Sequence, residues 1–229
     1  MFKHEKQLLR EVRVERPNPL YAAMLQEQIG GPHGEMKAGL QYLAQSFRIA
    51  DPKIRDVFLD IAAEELSHLE MVATLANLLN GEKPDASRAV AGGIVSHVTT
   101  GLAPTYANAA GFPWTSAYIE VVGDLPSDIL SDIAAEQRAK VVYEHLHRQI
   151  ADAGVREAID FLLNREEAHS ALFREALRQV QDTGSMRDFG VTPDSRLYFD
   201  LSTPGRYFRE PATTPPRFQE QPGGGQPGG

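Results

Sequence analysis

Histidines that follow a glutamate by three positions are the strongest chemical signal in this sequence. The pattern Glu-x-x-His occurs three times, at Glu65/His68, Glu144/His147 and Glu166/His169. Three residues make almost one helical turn, so on a helix both side chains face the same way and can share a metal ion. With seven histidines in 229 residues, chance alone gives about half a match. At least one of the three matches is therefore expected to be accidental.

An internal repeat distinguishes two of these matches from the third. Both halves of the chain read Glu-x29-Glu-x2-His, the first beginning at Glu35 and the second at Glu136. A tyrosine follows each of these glutamates by seven residues, at Tyr42 and Tyr143. The third match has a tryptophan where the first glutamate of the pattern would stand. The repeat predicts a centre of two metal ions, to which each half contributes one Glu and one Glu-x-x-His.

Amphipathic helices are the elements that must position these side chains. Apolar residues recur at intervals of three and four in four long stretches, which is the helical period. The four stretches run from about 20 to 47, 51 to 81, 126 to 151 and 155 to 181. Gly30, Gly31 and Pro32 are expected to break or bend the first helix. Asp51 is expected to cap the second helix, with Pro52 in its first turn.

The lengths of the connections predict how the helices are arranged. Few residues separate the first helix from the second, or the third from the fourth, so each pair is expected to be antiparallel. About 43 residues, 82–124, separate the second helix from the third. The sequence therefore predicts an all-α four-helix bundle with a long crossover between helices 2 and 3. Two separate helical hairpins joined by a linker are the less favoured alternative.

The composition changes after the fourth helix. Helical periodicity fades from about residue 185, and the last 19 residues contain five glycines and five prolines. Such a composition cannot form a packed core. We therefore expect a bundle domain at 1–184, an extended arm at 185–210 and a flexible tail at 211–229. The arm is expected to pack on the bundle or on a neighbouring subunit.

Charge and composition exclude several classes of function. The net charge of −8 disfavours nucleic acid as a partner, because binding phosphates requires a basic surface. The absence of cysteine excludes disulfide scaffolds, zinc–thiolate sites, iron–sulfur clusters and thiol catalysis. The N-terminal residues lack the apolar core of a signal peptide, and no stretch of 18 apolar residues occurs. We therefore expect a cytoplasmic protein with no membrane partner.

The residues around the repeated pattern resemble those of the manganese catalases, which are ferritin-like proteins. The resemblance rests on Met1–His4, Gly30-Gly31, Gly34-Glu35, Glu64–Glu70, Asn108–Tyr118, Ile133–Glu136 and Arg165–His169. It extends over roughly residues 1–210. Some spore-coat proteins share the same core, so the resemblance is to a family whose members differ in biological role.

The resemblance implies five protein ligands for two manganese ions, and no haem. Glu35 and His68 would bind one ion, Glu136 and His169 would bind the other, and Glu65 would bridge the pair. Carboxylate and imidazole ligands suit manganese, but these ligand types alone do not exclude iron. The choice of manganese therefore comes from the resemblance.

The resemblance also implies the reaction, which is the conversion of hydrogen peroxide to water and dioxygen. The metal pair would exchange two electrons in each half-reaction. Glu166 would lie beside the pair and relay protons. Some members pair this glutamate with an arginine just before the third-helix ligand, whereas this chain has Ala135 there. Tyr42 is expected to donate a hydrogen bond to a ligand carboxylate.

A calcium site and a hexamer are further expectations from the family. Asp56 and Asp60 are four residues apart, so they share one face of a helix and repel each other unless a cation neutralises them. Some manganese catalases bind calcium through this pair and a C-terminal segment, which Asp200-Leu201-Ser202 resembles. The family usually forms hexamers, and we expect a homohexamer in which the arm after Arg196 wraps a neighbour.

Two alternatives to a catalase remain open at this point. The first is a di-iron protein, such as a ferroxidase, an iron store or a rubrerythrin-like peroxidase, although the absence of cysteine counts against the last. A metal-bound Glu166 would favour the iron store. The second is a coat or structural protein that has lost turnover, against which the intact ligand pattern argues. Metal content and peroxide turnover distinguish all three.

Overall fold

The computed structural model describes residues 5–82, 101 and 103–182, and within these ranges the protein is helical. The α-helices are α1 (Pro19–Gly30), α2 (Glu35–Ser46), α3 (Pro52–Asn80), α4 (Leu125–Gln149) and α5 (Ala153–Asp182). A short 3-10 helix spans Ser116–Tyr118. The predicted all-α class is confirmed. The predicted first helix is interrupted, so that α1 and α2 together form the first of the four bundle helices.

Close backbone contacts explain why glycines occur at the break between α1 and α2. A Cβ atom on Gly30 would lie 2.4 Å from the backbone nitrogen of Ala107, and one on Gly34 would lie 2.5 Å from the carbonyl oxygen of Gln28. Neither contact leaves room for a side chain. The break makes Glu35 the first residue of α2. This local irregularity therefore sets the position of the first glutamate of the repeat.

Side-chain caps define where the other helices begin. Asp51 accepts hydrogen bonds from the backbone N–H groups of Lys53 and Ile54, and a proline occupies the first turn of α3, as the sequence predicts. The three remaining caps are Asn18 before α1, Asp124 before α4 and Asp152 before α5. The helix starts are therefore determined by local sequence.

The apolar core consists of two clusters, which alternate with polar side chains along the helices. On α3, Phe58 and Ile61 belong to one cluster, and Met71 and Leu75 belong to the other. The buried residues between them on this helix include Glu65 and His68. On α5, Glu166 and His169 likewise lie between residues of the two clusters. The apolar layers therefore exclude water on both sides of a polar centre.

Buried amide side chains hold the described part of the crossover against the bundle. Gln26 of α1 donates to the carbonyl oxygen of Ala107 at 2.8 Å. Gln41 of α2 accepts from the backbone N–H of Glu120 at 2.9 Å, and Gln45 donates to the carbonyl oxygen of Glu120 at 2.9 Å. These bonds satisfy the polar backbone of a loop that packs on the bundle.

Several expectations fall on residues outside the described ranges. These are the whole of the predicted arm and tail, 185–229, which includes Asp200 and Ser202 of the predicted calcium site. Within the ranges that are described, no helix combines the length and the apolar character needed to cross a membrane.

Candidate metal centre

Six of the side chains selected from the sequence meet in the interior of the bundle. α2 contributes Glu35, α3 contributes Glu65 and His68, α4 contributes Glu136, and α5 contributes Glu166 and His169. Each of the six is at most 2% exposed to solvent. The repeat in the sequence thus corresponds to one buried centre, to which all four bundle helices contribute.

Two overlapping groups of potential ligand atoms are present in the part of the chain that the structure describes. One comprises Glu35, Glu65, His68 and Glu166, and the other comprises Glu65, Glu136 and His169. Within each group, one ligand atom per residue lies within 4.8 Å of the others. Glu65 belongs to both groups, which is the geometry expected of a bridging carboxylate.

The two carboxylate oxygens of Glu65 face different histidines. The Oε2 atom lies 3.1 Å from Nδ1 of His68, and the Oε1 atom lies 2.6 Å from Nδ1 of His169. The two imidazole rings are stacked, with centroids 5.5 Å apart and an interplanar angle of 21°. Both histidines therefore present the same ring nitrogen to the same carboxylate.

Two buried tyrosines connect the halves of the centre crosswise. The Tyr42 hydroxyl donates to Oε1 of Glu136 at 2.6 Å, and the Tyr143 hydroxyl donates to Oε1 of Glu35. The bond from Tyr42 agrees with the expectation that it contacts a carboxylate of the centre. The repeat places Tyr143 at the position equivalent to Tyr42, and this equivalence is the sequence signal for its bond to Glu35.

The electrostatics of the buried carboxylates and histidines favour the binding of cations. Burial, together with the charge of Glu65, raises the pKa of Glu35 to about 7 and that of Glu136 to about 8. Burial and three neighbouring carboxylates raise the pKa of Glu166 well above its ordinary value. Although burial opposes its ionisation, His68 and His169 hold the pKa of Glu65 below its ordinary value. The raised pKa values show that buried carboxylates are crowded together here, and a bound cation would stabilise their ionised forms.

Carboxylate oxygens without hydrogen-bond partners also indicate that the centre is suited to bind cations. Within the described residues, Oε2 of Glu136 and Oε1 of Glu166 are buried and have no hydrogen-bond partner. A buried carboxylate oxygen without a partner is costly. Carboxylate oxygens and imidazole nitrogens are ligands that divalent manganese and iron accept. The residues present therefore fit a pair of such ions.

The third Glu-x-x-His match lies outside this centre. Nε2 of His147 is 3.1 Å from Oδ1 of Asp160, and Glu144 contacts Arg148 on its own helix. Neither Glu144 nor His147 belongs to the groups of ligand atoms described above. This match is therefore the accidental one that is expected by chance.

The two described members of the predicted calcium site are exposed on α3. Asp56 and Asp60 do not contribute to either group of ligand atoms found in the described part of the chain. Because Asp200 and Ser202 fall outside that part, the calcium site stays a prediction.

A cavity of about 270 Å³ leads from the centre towards the surface between α4 and α5. Its lining includes the buried Glu136 and Glu166 and the more exposed Ser170 and Ala171. An ion pair between Lys140 and Glu167 also lines it. Since one water molecule occupies about 30 Å³ in the liquid, the cavity admits several molecules of that size. It is the candidate route for a small substrate.

Comparison with known proteins gives a consistent assignment. A family model described as manganese containing catalase matches residues 1–194. A Clostridium acetobutylicum protein described as a probable manganese catalase is 60% identical over 220 residues, which cover 95% of this chain and 98% of that protein. Protein CotJC of Bacillus subtilis is 38% identical over 182 residues, which cover 80% of this chain and 96% of that protein. The crystal structure of wild-type KatB, a manganese catalase from Anabaena, matches with a TM-score of 0.77 at 34% identity, covering 85% of this chain and 87% of that one.

Proposed function

Because this chain belongs to the manganese catalase family and has its ferritin-like fold, we propose that it converts hydrogen peroxide to water and dioxygen at two manganese ions. The observation that carries the proposal is the placement of Glu65, whose two oxygens face two different histidines inside a buried centre. Such a carboxylate is suited to hold two cations next to each other.

Five residues are proposed as the ligands of the two ions. Glu35 and His68 would bind one, Glu136 and His169 would bind the other, and Glu65 would bridge them. All five are buried, and each belongs to at least one of the two groups of ligand atoms. The metal pair, when bound, supplies the two-electron redox change that each half-reaction requires.

Other side chains of the protein are proposed to transfer protons and to orient the carboxylates that bind the metal ions. Glu166 is proposed to relay protons, one at a time, away from the centre when one peroxide is oxidised and back to it when the second is reduced. The hydroxyl of Tyr42 orients Glu136 and that of Tyr143 orients Glu35. The cavity between α4 and α5 reaches Glu136 and Glu166, so peroxide entering by it arrives next to the proposed proton relay.

The role of Glu166 distinguishes the catalase from an iron-storing or iron-oxidising protein. A Glu166 that binds metal would complete a symmetrical set of four carboxylates, as expected for the iron proteins. We propose that it is not a ligand, so Glu166→Gln should still bind two Mn²⁺ per chain while oxygen release falls. Loss of one metal ion from Glu166→Gln would instead favour the iron alternative.

Three further proposals rest on the family resemblance. They are a homohexameric assembly, a cytoplasmic location and a calcium ion held by Asp56, Asp60, Asp200 and Ser202. Sedimentation of the full chain tests the first, fractionation of the source cells tests the second, and calcium titration of Asp56→Asn against the unaltered chain tests the third.

Oxygen release from hydrogen peroxide is the decisive experiment. We expect about one O₂ for every two peroxides from protein loaded with manganese, and none from metal-free protein. His169→Ala should abolish oxygen release, whereas the matched variant His147→Ala should retain it, because His147 contacts Asp160 outside the centre. Protein that holds two manganese ions per chain and releases no oxygen would contradict the proposal and favour a structural or coat role.

A further inference from the structure

Glu64, the residue before the proposed bridging ligand, lies behind both histidines of the centre. Its Oε1 atom is 3.5 Å from Nε2 of His68, and its Oε2 atom is 3.3 Å from Nε2 of His169. The side chain is 25% exposed, whereas both histidines are fully buried. One carboxylate therefore faces the outer nitrogens of two rings that belong to different helices.

The orientation of the two imidazole rings shows which nitrogen of each ring faces Glu65 and which faces Glu64. Both histidines direct Nδ1 towards Glu65, in the interior of the centre, and Nε2 towards Glu64. A neutral imidazole carries its proton on one nitrogen and donates its lone pair from the other. If Nδ1 binds metal, the proton must be on Nε2. Neither Nε2 atom has a hydrogen-bond partner within the described residues, and the carboxylate of Glu64, 3.5 and 3.3 Å away, is the acceptor that both face.

Arg165 fixes the position of Glu64. Its Nε atom donates to Oε1 of Glu64 at 2.5 Å, and its Nη2 atom donates to Oε2 at 3.3 Å. The two residues occupy equivalent places in the repeat, since Glu64 precedes the Glu-x-x-His of α3 and Arg165 precedes that of α5. The repeat therefore breaks its symmetry at this pair, where opposite charges meet in a two-pronged contact.

We infer that Glu64 is a positioning residue that both histidines share, clamped by Arg165, and that it sets the tautomer and orientation of the two rings together. The inference rests on the proposed function in one respect, which is that the centre holds metal through these histidines. A single acceptor for both rings links the two metal positions, so any disturbance of Glu64 affects both.

Replacement of Glu64 by glutamine tests the inference. The amide has one acceptor oxygen and one N–H₂ group, so it cannot offer an acceptor oxygen to each of the two Nε2–H groups, and it removes the charge that faces Arg165. We expect Glu64→Gln to weaken Mn²⁺ binding at both positions by about 10- to 100-fold, measured by titration calorimetry. The electron paramagnetic resonance spectrum of the bound Mn²⁺ pair should change as well, which a merely structural loss would not produce in folded protein.

A matched control and a second variant keep the test decisive. Glu157 also contacts two arginines, Arg10 and Arg13, on the surface, so Glu157→Gln loses comparable ion pairs and should leave Mn²⁺ affinity and spectrum unchanged. Arg165→Met retains the carboxylate but removes its clamp, and it should weaken binding at both positions by a smaller factor. If circular dichroism shows that Glu64→Gln does not fold, the Mn²⁺ affinity of Arg165→Met provides the test.

Two results would overturn the inference. One is unaltered Mn²⁺ affinity and an unaltered spectrum in folded Glu64→Gln, or in Arg165→Met if the first variant is unfolded. The other is a loss confined to one metal position, which would contradict the shared role. Because affinity and spectrum are measured without peroxide, a wild-type chain that binds two Mn²⁺ but releases no oxygen would contradict only the proposed function.

Discussion

The hydroxyl of Tyr42 donates a hydrogen bond to Oε1 of Glu136 at 2.6 Å, although the two residues belong to opposite halves of the internal repeat. Tyr143 makes the equivalent bond to Glu35 in the other direction. Each hairpin therefore orients a carboxylate of the other hairpin. A centre built in this way depends on the docking of the two halves as well as on the helices within each half.

Removal of either tyrosine hydroxyl should weaken the centre. We expect Tyr42→Phe and Tyr143→Phe each to lower Mn²⁺ affinity or oxygen release by about 10- to 100-fold, because a ligand carboxylate loses the donor that orients it. Titration calorimetry and oxygen release on the same preparations give both quantities. The exposed Tyr106 supplies the control, since Tyr106→Phe should match the unaltered chain. Full affinity and activity in both buried variants would show that these bonds are not needed.

Obstruction of the cavity between α4 and α5 should slow the entry of peroxide without affecting the metal. Ala171 lines that cavity and is exposed, so Ala171→Phe adds bulk there. We expect kcat/KM for peroxide to fall at least about threefold while manganese content stays the same, because access to the centre precedes the chemistry. Ala153→Phe, at the exposed beginning of the same helix, should have no such effect. Equal kcat/KM in both variants would mean that peroxide uses another route.

The buried Asp132 should make the metal-free protein less stable as pH rises. Burial raises the pKa of Asp132 to about 8 from an ordinary value of 3.8, even though Gln41, Gln45 and Lys37 favour its ionised form. Between about pH 4 and pH 8 the unfolded chain has released this proton and the folded chain has kept it. The contribution of Asp132 to the free energy of unfolding therefore falls with increasing pH across that window.

Asp132→Asn removes this titration and retains an oxygen that can accept the hydrogen bond from Gln41, which is 2.8 Å long. One pKa unit corresponds to about 1.4 kcal/mol. The free energy of unfolding of the variant, relative to that of the unaltered chain, should therefore rise by more than about 1 kcal/mol between pH 5 and pH 8. Urea unfolding of metal-free protein at the two pH values measures the difference. Asp60→Asn, on the exposed face of α3, serves as the control in calcium-free buffer. The prediction would be contradicted if the difference in free energy of unfolding between the Asp132 variant and the unaltered chain were the same at both pH values.

The contact between α1 and the crossover predicts a stability effect that does not involve metal. Gly30→Ala would place a Cβ atom within about 2.6 Å of three backbone atoms of Ala107, and backbone cannot move aside as a flexible side chain can. We expect a loss of about 1–3 kcal/mol in the free energy of unfolding, measured by urea denaturation. An unchanged midpoint would mean that the crossover shifts at no cost.

The helices and the candidate ligands could both be predicted from the sequence, the helices from local patterns and the ligands from a spacing that recurs in both halves of the chain. Helical period, caps such as Asp51 and breaks such as Gly30-Gly31 act within a few residues. The 30-residue spacing that Glu35 and Glu136 share then assigns equivalent places to ligands in two hairpins of similar length. For the same reason, the repeat alone is enough to distinguish His68 and His169 from His147.

Which side chains meet across the bundle is seen only in the folded structure. The bond from Tyr42 to Glu136, the position of Glu64 behind two histidines and the cavity between α4 and α5 all depend on how each helix is rotated against its neighbours. That rotation results from the packing of the two apolar clusters over many residues. It leaves no pattern at a fixed spacing along the chain, so the position of Glu64 behind both histidines could not be predicted from the sequence, whereas the repeat does indicate a role for Tyr143 like that of Tyr42.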